Sequence, residues 1–431
     1  MTASDMPGAA AGDGTSLSEA TAAFARIGIL SFGGPAAQIA LMHRVLVEEK
    51  KWLSERLYLN ALSFCMLLPG PEAMQLATYA GWRLHGVVGG LIAGLLFVLP
   101  GAAVMLALAV IYALVGDVPL VSALFLGIKA AVLVIVVEAL LRVAKKALHL
   151  PRHWMIAALA FVGIFFLNLP FPLIILAAAL YGFLAGSDPA DHEDHAARRV
   201  PTMSTLRTVV LWLAVWWLPL LAVGALSGEP ILAELGRFFS KLAVVTFGGA
   251  YAVLAYMAQD VVNQYGWLSA GAMMDGLGLA ETTPGPLILV TEFVGFLSAF
   301  GEGGIALGIA GAAVTLWATF APCFLWIFAG APYIDWIGAQ PRLRGALSGI
   351  TAAVVGVILN LSIWFALHVA FSQVSAERYG PVTLWQPEVA TLDWRVIILA
   401  VLSGVLLLRL HWDILRVLAI SAACGLLLSY V

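Results

Sequence analysis

Two kinds of helix break, each present twice, are the groups in this chain best suited to chemistry. Phe32-Gly33-Gly34 recurs as Phe247-Gly248-Gly249, and Pro69-Gly70-Pro71 recurs as Pro284-Gly285-Pro286, both at an offset of 215 positions. Gly and Pro stop a helix, and the half-helix that starts after the stop presents backbone N–H groups at a positive dipole end. Such an end binds anions, and Gly lets the ligand come close to the main chain. The chemistry implied is anion recognition rather than bond making. The plainer alternative is that these residues only kink helices or help them pack. Two break types repeated at one offset favour the functional role.

Charged side chains surround the breaks. Arg26 precedes Phe32 by six residues, and Lys241 stands in the same relation to Phe247. Cations inside apolar helices are functional candidates by default, although Arg26 is near enough to a helix start to snorkel to the interface. Lys129 is the deepest lysine of the first copy, with Thr351 at the equivalent place in the second, and Glu138 is its expected partner. Glu72 follows the first Pro-Gly-Pro and Glu281 precedes the second, while Glu292 falls in an apolar run. These acids suit proton relay or charge pairing, and Glu72 equally suits the dipole of a half-helix. Gln75, Thr78, Tyr79, Thr282 and Thr283 add neutral hydrogen-bonding groups. The candidate site is therefore Arg26, Phe32, Gly33, Gly34, Pro69, Gly70, Pro71, Glu72, Gln75, Lys129, Lys241, Phe247, Gly248, Gly249, Thr283, Pro284, Gly285 and Pro286. Asp191-His192-Glu193-Asp194-His195 is not a His-Glu-x-x-His motif and reads as a solvated linker. Nucleophile elbows, P-loops and Rossmann glycines are missing, so no enzyme, cofactor or metal centre is expected.

The elements that must position these residues are transmembrane helices. Of 431 residues, 62% are hydrophobic and 11% charged, and the mean hydropathy is +0.98. Uncharged stretches such as 87–116 and 305–332 exceed the roughly 20 residues that a helix needs to cross a bilayer. An all-α polytopic bundle follows, since spanning barrels show short period-two segments instead. Cys65, Cys323 and Cys424 lie in apolar stretches, where inert thiols are usual. Residues 1–20 lack the basic start and apolar core of a cleaved signal, and no basic block suggests nucleic acid.

The duplication extends beyond the breaks. Trp52-Leu53-Ser54 recurs as Trp267-Leu268-Ser269 at the same offset, and Ala130-Ala131-Val132 as Ala352-Ala353-Val354 at 222. The chain divides into a flexible tail (1–20), a first repeat (21–186), a polar linker (187–206), an additional transmembrane helix (207–228) and a second repeat (229–431). Six apolar elements per repeat and one between them make the second copy enter the membrane from the opposite side. Loop charges agree: Arg44, Lys50, Lys51 and Arg56 join the first two elements, whereas 259–269 carries no Lys or Arg. By the positive-inside rule the N-terminus and linker are cytoplasmic and the C-terminus periplasmic. That rule also favours re-entrant hairpins at both break types, leaving four spanning helices per repeat.

The run from Phe32 through Gly33-Gly34-Pro35-Ala36-Ala37-Gln38-Ile39-Ala40, then Trp52-Leu53 and Leu68-Pro69-Gly70-Pro71, resembles the first half of the chromate ion transporter (CHR) family. Thr246 through Leu254, with Thr283-Pro284-Gly285-Pro286, resembles its second half. The resemblance covers about 24–370 and matches the long, two-domain members. It implies efflux of chromate from the bacterial cytoplasm across the inner membrane, giving chromate resistance. Sulfate is implied as a related oxyanion, and a proton gradient or the membrane potential as the driving force. Gln38 departs from the His often found there, which argues against proton handling at that position. The expected partners are the oxyanion, the lipid bilayer and a coupling proton or potential, and a homodimer is compatible with the plan. Rival functions are transport of another oxyanion or small organic anion, a passive anion channel, and an intramembrane enzyme.

Overall fold

The computed structural model describes residues 15–116, 118–186, 202–247, 250–334 and 340–429. Most of the N-terminal tail, the linker with its Asp191–His195 run, and Gly248 and Gly249 lie outside the described residues.

The described chain is helical almost throughout. In order the helices are α1 (Leu17–Leu30), α2 (Gly34–His43, continued by a wide turn to Glu49), α3 (Glu55–Leu67), α4 (Glu72–Val115), α5 (Pro119–Ala147), α6 (Pro151–Phe165) and α7 (Phe171–Ala185). Then come α8 (Thr202–Leu226), α9 (Pro230–Val245), α10 (Ala250–Gln259), α11 (Ala270–Thr282), α12 (Val290–Gly330), α13 (Pro341–Ala370), α14 (Trp394–Gly404) and α15 (Ile414–Leu428). Among the described residues one antiparallel hairpin, β1 (Val374–Tyr379) with β2 (Val382–Pro387), stands between α13 and α14. Its Thr383 N–H donates to Phe166 O at 2.7 Å, which ties it to the end of α6. Five helical segments (α4, α5, residues Met203–Leu226, Leu287–Tyr333 and α13) are long and apolar enough to cross a membrane. The protein is an all-α polytopic membrane protein with this small appendage.

The helix ends follow local chemistry. Ser16 caps α1 by accepting from Glu19 N–H, and Ser54 caps α3 by accepting from Leu57 N–H. At the first break the chain reverses. Arg26 Nη1 lies 3.3 Å from Glu49 Oε2 and Lys50 Nζ 2.8 Å from Glu19 Oε1. In one straight helix, residues 23 apart would be separated by about 35 Å. α1 and α2 are therefore the limbs of a hairpin. Neither α1 nor α3, at 14 and 13 residues, reaches the roughly 30 Å of a bilayer core.

α4 and α12 also fold back on themselves. Non-helical backbone at His85–Gly86 divides α4 into 72–84 and 87–115, and Gly303–Gly304 divides α12 into 290–302 and 305–330. A Cβ at Gly81 would run into the Gly89 carbonyl, and one at Gly311 into the Gly295 carbonyl. Small residues at these crossings let backbones touch, which is how helices associate where lipid removes the hydrophobic drive. The last two apolar elements of the first repeat are α6 and α7, each of 15 residues and joined through Asn168 at φ 51°.

Two compact units emerge, and each draws on both repeats. The first comprises Met1–Ala109, Pro189–Ala250 and Thr282–Gln340. In it α12 packs on α8 and α9, with Trp212 stacked on Phe324 and Trp317 Nε1 donating to the Val215 and Trp216 carbonyls. The second comprises Val110–Asp188, Tyr251–Glu281 and Pro341–Val431, with α13 against α5, α6 and α7, and α15 against α5.

The α1–α2 hairpin makes a direct prediction. A Glu19→Cys/Lys50→Cys double variant is bridged within the chain by a short bis-methanethiosulfonate cross-linker, seen as a mobility shift that reductant reverses. A straight α1–α2 segment would give none.

Candidate functional site

Helix α1 ends at Ser31, where Phe32 N–H turns back to Leu30 O (2.9 Å) and Gly33 and Gly34 take φ of 84° and 77°. α9 ends the same way at Thr246, with Phe247 N–H on Val245 O at 3.0 Å. Ser31 Oγ donates to Ile27 O and Thr246 Oγ1 to Leu242 O, both at 2.6 Å, so each hydroxyl satisfies a carbonyl of the last helical turn. The Pro-Gly-Pro breaks turn at Gly70 (φ 120°) and Gly285 (φ 86°).

The breaks of the two repeats then pair crosswise within the first unit. Gly70 N–H donates to Thr246 O, and Gly285 N–H donates to Ser31 O, each at 2.8 Å. These are one bond made twice, because 70 and 285, like 31 and 246, are repeat equivalents. Pro69, Gly70, Pro71, Thr283, Pro284, Gly285 and Pro286 are all buried, while Phe32, Gly33, Gly34, Glu72 and Phe247 are partly buried. A Cβ at Gly285 would come within 3.2 Å of Phe97 O, and one at Gly70 within 3.0 Å of Cys323 Sγ. Both positions thus need glycine for φ and for space.

Around this symmetric core sit asymmetric polar side chains. Gln38 Nε2 bridges Gly285 O (2.6 Å) and Ser31 O (3.3 Å), and Gln75 Nε2 donates to Pro69 O (2.7 Å). Their repeat equivalents are Val253 and Val290. Gln38 Oε1, Gln75 Oε1 and Glu292 Oε2 are buried without a hydrogen-bond partner among the described residues. A primary amide has two N–H donors and can serve two carbonyls at once. Gln38 therefore does here what a neutral imidazole, with one N–H, could not.

The structure revises the expected source of positive potential. The N–H groups of Gly70 and Gly285 are engaged by carbonyls, so these two donors are not available to an anion, and free helix-start donors belong instead to the first turns of helices such as α2 and α4. Arg26 is not brought to the buried breaks: its side chain is 56% exposed and paired with Glu49. Lys241 is likewise exposed. Lys129 does not meet Glu138, because nine residues is two and a half helical turns and places them on opposite faces of α5. Glu138 pairs with Arg142 one turn on (2.6 Å), and Lys129 Nζ lies 3.3 Å from Asp275 Oδ2 in the second unit. Tyr112 OH donates to the same Oδ2 at 2.8 Å. Six residues further along α11, Tyr251 OH donates to Glu281 Oε1 at 2.8 Å. Asp275, Tyr112 and Tyr251 were not singled out from the sequence. Asp275 interrupts an otherwise apolar segment, the same signal that marked Glu292.

Buried crossed breaks between short half-helices, with a charge pair held among apolar helices, are the marks of a polytopic membrane transporter. The chromate transporter family model matches the chain twice, over residues 18–183 and 233–427, and the chain belongs to that family. It is 31% identical to a chromate transport protein of Cupriavidus metallidurans, over 80% of this chain and 81% of the relative. A chromate transport protein of Pseudomonas aeruginosa is also 31% identical, over 84% and 83% of the two chains. An uncharacterised transporter of Methanocaldococcus jannaschii is 28% identical over 81% and 84%. These relatives are named as transporters, not enzymes. No solved structure matches the chain.

Replacing Gln38 by Leu leaves the Gly285 carbonyl without its donor in a buried site. The expected cost is about 1–3 kcal/mol, read as a lower Tm of the detergent-solubilised protein. An unchanged Tm would show that the bridge contributes nothing.

Proposed function

We propose that this chain is a secondary transporter that exports chromate, and sulfate as a related oxyanion, from the bacterial cytoplasm across the inner membrane, conferring chromate resistance. The observation that carries the proposal is the crosswise pairing of the Phe-Gly-Gly and Pro-Gly-Pro breaks in a chain of the chromate transporter family. Half-helix N-termini at the start of α2, beside Gly33-Gly34, and of α4, beside Pro69-Gly70-Pro71, offer the anion main-chain donors. Within the second unit, Lys129 offers a full charge of its own. Arg26 and Lys241, being exposed, act as an attractive field at the entrance.

The two repeats are taken as inverted, with N-terminus and linker cytoplasmic and C-terminus periplasmic, on the strength of the loop charges. α6 and α7 are both short, but they come as a pair. Whether or not they span, the number of crossings in the first repeat stays even. The hairpins α1–α2 and α3 with residues 72–84 are then re-entrant, which keeps the Arg44–Arg56 loop on the cytoplasmic side. Every Pro-Gly-Pro residue is buried, so loading at these breaks requires the crossed helix ends to part. Membrane potential, negative inside, drives a dianion outward at about 2.3 kcal/mol per charge per 100 mV.

Everted vesicles containing the protein should accumulate chromate under an imposed potential, and sulfate should compete. Lys129→Ala should lower the initial rate at least about tenfold, whereas Arg26→Ala and Lys241→Ala, as entrance charges, should change it by no more than about threefold. Transport that ignores chromate but moves small carboxylates would overturn the substrate assignment. Flux that persists unchanged when potential and proton gradient are dissipated would make the protein a channel.

A further inference from the structure

The pair Lys129–Asp275 is built from one copy of the duplication on each side and is not repeated. Lys129 belongs to the first repeat and Asp275 to the second, and their equivalents are Thr351 and Asn60, which carry no charge. Asp275 has a side-chain exposure of 5% and Lys129 of 24%. The ammonium lies across α11 where Gly271 leaves room, with 3.4 Å between Nζ and the position a Cβ would take there. Asp275 Oδ2 receives both Lys129 (α5) and Tyr112 (α4), while Oδ1 has no hydrogen-bond partner among the described residues. The carboxylate is thus held at one oxygen, while its other oxygen is buried without a partner. The other carboxylate on α11, Glu281, faces Tyr251 of α10 and feels Arg142 and Glu138 of α5.

We propose that Asp275 is the resident counterion of an anion subsite at Lys129: an incoming oxyanion dianion takes the carboxylate's place on the ammonium, and Asp275 takes up one proton from solution. Charge requires the proton. Lys129 and Asp275 sum to zero, so a dianion added to the intact pair would leave two uncompensated negative charges in an apolar helix bundle, a costly arrangement. Protonation at the unpartnered Oδ1 reduces that to one. Tyr112 keeps its bond to Oδ2 throughout and holds the carboxyl in place. The proton comes from the aqueous side on which the anion loads and leaves with it. This inference rests on the transport function proposed above and adds a stoichiometry: one proton moves with each dianion, so one net negative charge crosses.

The test uses the full chain in nanodiscs and chromate as probe, between about pH 7.5 and pH 9, where chromate itself is a full dianion. Wild-type protein should take up about one proton per chromate bound, followed with a pH indicator in weak buffer. Its affinity should tighten by up to about tenfold for each unit the pH falls. Asp275→Asn keeps the Tyr112 bond and removes the charge. It should bind chromate at least about tenfold more tightly near pH 9, with neither proton uptake nor pH dependence. Lys129→Gln should abolish binding. Proton uptake by the wild type needs no variant, so the proposal stays open to refutation even if Asp275→Asn does not fold. Chromate binding without proton uptake, an Asp275→Asn variant with the wild-type pH slope, or binding that survives Lys129→Gln would each overturn it while leaving the transport function intact. A wild-type chain that neither binds nor moves chromate would overturn both.

Discussion

The structure turns on a main-chain hydrogen bond made twice, Gly70 N–H to Thr246 O and Gly285 N–H to Ser31 O. A helix that stops inside an apolar medium leaves donors and acceptors that water cannot reach, and each orphan costs several kcal/mol. Duplication supplies a remedy. The donor left over at the Pro-Gly-Pro of one repeat meets the acceptor left over before the Phe-Gly-Gly of the other, and the reverse pairing follows by the same geometry. The need for glycine at 70 and 285, the hydroxyls at Ser31 and Thr246 and the interleaving of repeats in the first compact unit are consequences of that exchange.

A second constraint is charge. An ionised side chain among apolar helices persists only when paired or functional. The exposed cations Arg26 and Lys50 find carboxylates at the open end of the α1–α2 hairpin. The deeper Lys129 finds Asp275. Surface pairs of the first kind contribute little to stability, whereas a pair with a carboxylate this buried is costly to break and therefore sensitive to anything that competes for either partner. The duplication is imperfect at its polar side chains: Gln38, Gln75, Lys129 and Asp275 all lack a like residue in the other copy.

Much of this was legible from one chain. Six apolar elements per repeat, the break positions and the additional helix all correspond to observed helices and helix ends. Hairpins at the first break followed from loop charge alone, and the Arg26–Glu49 and Lys50–Glu19 pairs agree with them. Less was legible where lengths were marginal. α6 stops at Phe165 and α7 starts at Phe171, with Asn168 at positive φ in the turn between them, although apolar composition continues through that turn. The β-hairpin at 374–387 escaped notice because its polar strands carry no strong alternation.

The sequence by itself determined that this is a duplicated, broken-helix membrane protein of the chromate transporter family, because hydropathy, helix-stopping residues and a repeat offset are all written along one dimension. It could not say which broken end meets which, or that Lys129 pairs with Asp275 rather than Glu138. Those are contacts between residues 146 to 254 positions apart. Only tertiary structure decides them, because there the demand that every buried donor, acceptor and charge find a partner is met across helices rather than along them.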